Sequence, residues 1–124
     1  MLYAILCYNS EDVVGSWTKE EDDACMARLG KVEEKLSRQG RLGPVARLLP
    51  TTAATTLRKG GGEPLVIDGP FAETKEQLLG FYVVDCADLD EALDIARELT
   101  VANPGHGSYE IRPIGLFHPW TLPT

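Results

Sequence analysis

The sequence has few of the residues on which metal centres and disulfide scaffolds depend. Its three cysteines, Cys7, Cys25 and Cys86, are odd in number and widely spaced, and no CxxC pair occurs. This pattern predicts neither a zinc site nor a redox motif, and it favours unpaired cysteines in a reducing cytoplasm. The two histidines, His106 and His118, have no cysteine or acidic partner at ligand spacing. We therefore expect no metal centre and no cofactor.

Basic charge and long apolar runs are also scarce. The chain of 124 residues carries 12 Lys+Arg against 19 Asp+Glu, a formal net charge of −7. Nucleic acids and anionic membranes require a basic face, so we expect neither as a partner. No apolar run approaches the roughly 20 residues of a membrane span, and the opening MLYAILCYNSED lacks the basic region of a signal peptide. The sequence predicts a cytoplasmic protein with a single domain over residues 1–124.

Hydrophobic patterning predicts two helices and several strands. Thr18 and Glu21 form a capping-box pattern that begins a helix over residues 19–39. Asp88 with Glu91 begins a second helix that fades near Thr100. The strands are expected at 2–8, 45–49, 78–84 and 108–114, with a hairpin at 55–58 and 65–67, and a short helical turn is expected within 72–77.

This order predicts a ferredoxin-like α+β domain, βαββαβ, with an extra β-hairpin and both helices on one face of an antiparallel sheet. The strands Leu2–Tyr8 and Leu78–Val84 are apolar on both sides. A large exposed apolar face is unusual for a soluble monomer. We therefore expect a homodimer, a dimeric α/β barrel in which two sheets pack face to face beside a cleft. Residues 115–124 are expected to form an ordered C-terminal extension that includes Trp120.

The densest polar cluster follows the hairpin, where Asp68 precedes the rigid Gly69-Pro70 turn and Glu73, Lys75 and Glu76 follow it. Binding and catalytic groups often lie on turns that a rigid scaffold holds. A partly buried carboxylate beside an ammonium group could transfer protons. The alternative is that Asp68 caps the turn while the other charged residues form a solvated face.

The last strand carries a second polar pair. Glu110 and Arg112 lie two residues apart and share one face, while Tyr109 and Ile111 take the other. Arg112 either pairs with a carboxylate of the turn or receives an anionic ligand. Tyr8 either lines the same cleft or packs in the core. His106 either supplies an imidazole from its loop or lies on a mobile surface.

Two long segments, DGPFAETKEQLLGFYVVDCADLDEALDIARE and SYEIRPIG, make the chain resemble the DGPF-domain family of the YCII-related superfamily. The resemblance spans nearly the whole chain and implies a bacterial, dimeric, ferredoxin-like α/β barrel. Related proteins include a dehydrochlorinase that acts on a chlorinated aromatic. The helical histidine of the wider superfamily has no counterpart in 19–39, so a His–Asp pair does not carry over.

Two functions follow from the residues and the resemblance. In the first, the cleft holds a small organic acid or aromatic that undergoes acid–base elimination or hydrolysis. In the second, the protein is a non-catalytic ligand-binding or regulatory accessory, because DGPF-domain proteins resemble companions of alternative sigma factors. The candidate catalytic residues are Asp68, Glu73 and Lys75, and the candidate ligand-binding residues are Tyr8, Phe71, Arg112 and His106.

Overall fold

The computed structural model describes residues 1–119, and this part of the chain alternates strands with helices. The elements in chain order are β1 Leu2–Asn9, α1 Glu11–Gly15, α2 Lys19–Arg38, β2 Leu42–Arg47, a 3₁₀ turn at Thr51–Ala53, β3 Thr55–Arg58, β4 Leu65–Asp68, β5 Gln77–Asp85, α3 Leu89–Ala102 and β6 Ser108–Pro113.

Four of the strands form one antiparallel sheet in the order β2-β5-β1-β6, and β3 pairs with β4 in a separate two-stranded sheet. Strand β1 lies in the middle, where Ile5 is opposite Tyr82 of β5 on one side and Ile111 of β6 on the other. This order confirms the predicted ferredoxin-like α+β fold. The β3–β4 pair is the predicted extra hairpin, and it is called the hairpin arm below.

Both long helices begin where the sequence predicts. At α2 the Glu21 amide donates to Thr18 Oγ1 at 3.1 Å, and the Thr18 amide donates to Glu21 Oε1 at 3.3 Å. At α3 the Glu91 amide donates to Asp88 Oδ1 at 3.0 Å. These bonds satisfy amides that the first helical turn leaves without partners. Helix α3 continues to Ala102, two residues beyond the predicted end.

The core lies between α2, α3 and one face of the main sheet, which we call the helix face. Two of its most completely buried side chains, Ile5 and Val84, come from strands β1 and β5. The other two, Leu36 and Leu99, come from helices α2 and α3. Within residues 1–119 no charged side chain is buried. The helix face therefore packs without a buried charge.

The opposite, outer face of the sheet follows from the strand alternation. Leu6 of β1 is opposite Phe81 of β5 and Glu110 of β6, and Ala4 is opposite Arg112. Leu6 and Phe81 are partly exposed. The placement of Glu110 and Arg112 on one face, with Tyr109 and Ile111 on the other, confirms the prediction. The face-to-face dimer stays a prediction.

Two local predictions differ from the structure, and one short helix was not predicted. Residues 72–76 form bends rather than a helical turn, because the Thr74 hydroxyl donates to the Glu76 carbonyl at 2.6 Å and competes with helical bonding. Strand β2 covers 42–47 rather than 45–49, and Pro44 is tolerated because β2 is an edge strand. Helix α1, at five residues, is too short to give a periodic signal. Trp120 lies outside the described residues.

Candidate functional site

A cavity of about 380 Å³ lies between the helix face of the sheet and helices α2 and α3. Small residues line it from both sides: Cys7 and Gly80 from the sheet, and Cys25 and Ala96 from the helices. Side chains of leucine size at these positions would occupy much of the space. Ligand pockets in proteins commonly measure 300–1,000 Å³, so this cavity is large enough for a small organic molecule.

The floor of the cavity is set by the strand register. Cys7 lies between Tyr109 of β6 and Gly80 of β5. A Cβ added to Gly80 would lie 2.2 Å from the backbone oxygen of Ala46 in β2. Because the neighbouring backbone approaches so closely, β5 requires glycine at this position. The same glycine leaves the sheet without a side chain beside Cys7, and that gap contributes to the cavity.

Among the polar side chains of the sheet that line the cavity, Cys7, Tyr82 and Tyr109 are held in their uncharged forms. Burial raises the pKa of the Cys7 thiol to about 12 and that of the Tyr109 phenol to about 12, and it raises the pKa of the Tyr82 phenol as well. The cause in each case is the loss of water around the anion. Cys7 is therefore not a ready thiolate nucleophile, and the tyrosines are neutral hydrogen-bonding groups.

Charged and polar groups lie at the rim of the cavity. The Arg47 guanidinium of β2 and the Asp22 carboxylate of α2 form an ion pair at 3.1 Å, and both residues line the cavity. Exposed Arg97 of α3 and exposed His106 lie elsewhere on the lining. Half-buried Glu33 of α2 also lines the cavity and lies close enough to Tyr82 to help raise the pKa of its phenol. The lining is thus mainly apolar, and its charged side chains all keep some contact with solvent.

The loop that carries His106 depends on glycine. Gly105 and Gly107 have φ values of +118° and +113°, a region that other residues rarely adopt. At Gly107 an added Cβ would also lie 2.7 Å from the carbonyl oxygen of Tyr8. The two glycines therefore fix where the imidazole lies, beside the cavity and close to the end of β1.

The structure brings two of the predicted ligand-binding residues to the cavity, Tyr8 and His106. The Tyr8 hydroxyl also contacts Glu110 Oε1 at 3.5 Å. Arg112 is exposed on the outer face, and the ion pairs found within residues 1–119 do not join it to Asp68 or Glu73.

The remaining predicted residues lie away from the cavity lining, at the hairpin arm and in the segment after it. Asp68, Phe71, Glu73 and Lys75 are all exposed, and Phe71 retains 74% of its accessible surface. Backbone and hydroxyl groups hold the turn: the Gly69 amide donates to the Ala54 carbonyl at 2.7 Å. The Thr56 hydroxyl donates to the Gly69 carbonyl at 2.8 Å. These bonds give the turn a fixed shape.

Sequence reasoning did not single out the residues that form the interior of the cavity. Cys7, Cys25, Tyr82 and Tyr109 read as ordinary core residues because their neighbours are apolar. One signal was available: an isolated glycine in an otherwise apolar strand, as at Gly80, often marks a close backbone approach or a gap in packing.

Two further observations limit the chemistry of the described region. Across residues 1–119, His, Cys, Asp and Glu side chains do not gather in groups of three or more that could hold a metal ion. None of the helices in the same range combines the length and hydrophobicity needed to cross a membrane.

The fold and the site together define a ferredoxin-like α+β domain with a cavity between its sheet and its helices. Comparison with known protein families shows that the YCII-related domain matches residues 1–118. The chain belongs to this family. It is also 63% identical, over the full length of both chains, to the uncharacterized protein R00369 of Rhizobium meliloti (strain 1021). The narrower DGPF assignment stays a prediction.

Proposed function

We propose that this protein binds a small, largely uncharged organic molecule in the cavity between its sheet and helices. The observation that carries the proposal is the combination of a volume of about 380 Å³ with a lining free of buried charge. Apolar cavities of 150 Å³ can accept benzene, so a ring with one or two substituents fits the available space.

The electrostatics of the lining favour a neutral ligand. An ionised group in an apolar interior needs an opposite charge close by. Cys7, Tyr82 and Tyr109 cannot supply one, because burial keeps their protons in place at neutral pH. A charged substituent would have to lie at the rim, near Arg97 or the Asp22–Arg47 pair.

Ligand binding is tested with acetophenone and ethylbenzene, two one-ring probes of similar shape, in NMR titrations of ¹⁵N-labelled protein. We expect saturable shifts of the amides that surround the cavity. Ala96→Leu should remove these shifts, because Ala96 lines the cavity and the larger side chain fills it. Ala27→Leu is the matched control, since Ala27 is exposed on α2 and outside the lining. Equal binding by both variants would contradict the proposal.

A second candidate function is acid–base catalysis at the mouth of the cavity, by elimination or hydrolysis. It is favoured by one observation: the exposed imidazole of His106 lines the cavity, where it can reach a bound molecule. The test measures release of 4-nitrophenol from 4-nitrophenyl acetate. His106→Gln should lower the rate and His118→Gln, whose side chain does not line the cavity, should not. Equal rates would argue against catalysis by His106.

We also propose that two copies pair through the outer face of the sheet. The support is the partly exposed apolar surface around Leu6 and Phe81, which neither helix covers. Leu6→Glu should shift the sedimentation coefficient from that of a dimer to that of a monomer. Leu89→Glu is the control, because Leu89 is exposed at the start of α3. A monomeric wild-type protein at micromolar concentration would exclude the pairing.

A further inference from the structure

One hydroxyl in the cavity has no hydrogen-bond partner within residues 1–119. Tyr82 retains only 7% of its accessible surface, yet the hydrogen bonds of the described chain do not include its phenol. Within residues 1–119, every side-chain oxygen that is inaccessible to a water-sized probe has a hydrogen-bond partner. The Tyr82 oxygen is therefore open to a space, and the cavity that Tyr82 lines is that space.

The neighbouring tyrosines do not share this arrangement. Tyr109 also lines the cavity, but it is only partly buried, and the nearby Asn103 side chain acts to lower the pKa of its phenol. Tyr3 is equally buried on the same face of the sheet, two rows from Cys7, and does not line the cavity. Among these three residues, Tyr82 alone combines burial, access to the cavity and an unused O–H group.

The Tyr82 hydroxyl has no protein acceptor and faces a space that water can enter, so a ligand that displaces the water must supply an acceptor of its own or leave the donor unpaired at a cost. Carbonyl oxygens are strong neutral acceptors. A carboxylate would bring a charge into a lining that has no buried cation, and its desolvation would oppose binding. The unused donor and the absence of a buried charge from the lining together favour a neutral carbonyl.

We infer that the Tyr82 hydroxyl is the specificity-determining group of the cavity and that it donates a hydrogen bond to the carbonyl oxygen of a small, uncharged, mainly apolar ligand. This inference rests on the proposed ligand-binding function. The high pKa that burial gives the phenol agrees with it, because the phenol keeps its proton and stays a donor at physiological pH.

The test compares the affinities of acetophenone and ethylbenzene, which differ by the carbonyl group. In the wild-type protein, the hydrogen bond to the carbonyl should raise the affinity for acetophenone relative to that for ethylbenzene. Tyr82→Phe should lower the preference for acetophenone by about three- to tenfold, the usual effect of one neutral hydrogen bond, and should leave ethylbenzene binding nearly unchanged. Tyr3→Phe removes an equally buried phenol outside the cavity and should leave the preference as it is.

A spectroscopic measurement reports the hydrogen bond itself, independently of the ratio of affinities. The carbonyl stretch of acetophenone should move to lower frequency when the ketone binds to the wild-type protein, as it does on accepting a hydrogen bond. The shift should disappear in Tyr82→Phe and persist in Tyr109→Phe. A shift that disappears in Tyr109→Phe instead would overturn the assignment.

The outcomes separate this inference from the function on which it rests. If neither probe binds the wild-type protein up to its solubility limit, the proposed function and this inference both fail. If both probes bind and Tyr82→Phe keeps the wild-type preference, the cavity is a binding site but the Tyr82 hydroxyl does not set its specificity.

Discussion

The carboxylate of Glu11 accepts two hydrogen bonds from Thr51, one from the backbone amide at 2.7 Å and one from the hydroxyl at 2.6 Å. Glu11 begins α1, and Thr51 begins the 3₁₀ turn that leads into the hairpin arm. The Glu11 amide also donates to Gln77 Oε1 at 2.8 Å, at the start of β5. Through its carboxylate and its backbone amide, Glu11 thus connects the base of the arm to the main sheet.

Loss of this connection should loosen the hairpin arm. Hydrogen bonds to a charged group contribute about 1.5–3 kcal/mol, so Glu11→Gln should lower the local opening free energy of β3 and β4 by about that amount or less. Hydrogen exchange of the amides of Thr56 and Ile67, which face each other as a hydrogen-bonded pair in this register, is the measurement. Glu63→Gln, an exposed change in the arm's own turn, is the control. Equal protection in both variants would show that the arm is held by other contacts.

Gly80→Ala should destabilise the whole domain. The new Cβ would lie 2.2 Å from the backbone oxygen of Ala46, so β2 and β5 would have to separate. Overpacking of this kind costs about 1–3 kcal/mol or more. Urea unfolding measures the loss. Gly30→Ala is the matched control: Gly30 lies within α2, with no atom within 4 Å of an added Cβ. Alanine there should stabilise the helix by about 0.5–1 kcal/mol.

Stability should decline at alkaline pH because of Cys7. Burial raises the pKa of its thiol from 9.0 to about 12 in the folded protein. Between these two values the unfolded chain loses the proton while the folded chain keeps it, so the free energy of unfolding falls as pH rises. Below pH 9 this contribution is fully present. Urea unfolding from pH 8 to 10.5 should show a shallower decline in Cys7→Ala, and an unchanged slope would contradict the assignment.

The capping box of α2 should contribute measurably to stability. Thr18→Ala removes the oxygen that accepts from the Glu21 amide, and losses of this type cost about 1 kcal/mol. Ser10→Ala is a matched control at the start of α1, where the serine side chain makes no capping hydrogen bond. Thermal unfolding of both variants should show a lower midpoint for Thr18→Ala. A similar shift in Ser10→Ala would indicate a general effect of the substitution.

Much of the fold could be predicted from sequence because its signals are local. Thr18 with Glu21, and Asp88 with Glu91, lie within one helical turn of each other, and each pair marks a helix start. The alternation of Glu110 and Arg112 with their apolar neighbours assigned each side of β6 correctly. Patterns of this kind require no knowledge of distant parts of the chain.

The cavity could not be predicted in the same way, because no local segment contains it. Cys7, Cys25, Gly80 and Ala96 are distant in sequence, and only the packing of sheet on helices brings their small side chains to one space. The charged string from Asp68 to Glu76 is conspicuous in sequence, yet the structure places it at and after the hairpin arm and outside the cavity lining. In this chain, a cluster of charged residues in the sequence therefore does not mark where the cavity lies.

The gap beside Cys7 and Gly80 also determines how the domain responds to hydrostatic compression. Any part of this space that excludes water disappears when the chain unfolds, so the unfolded solution occupies less volume and pressure shifts the equilibrium towards it. A molecule seated in that void would remove part of this volume difference. The pressure at which half of the protein unfolds should therefore report whether the space is filled, even when the bound molecule has no colour or fluorescence.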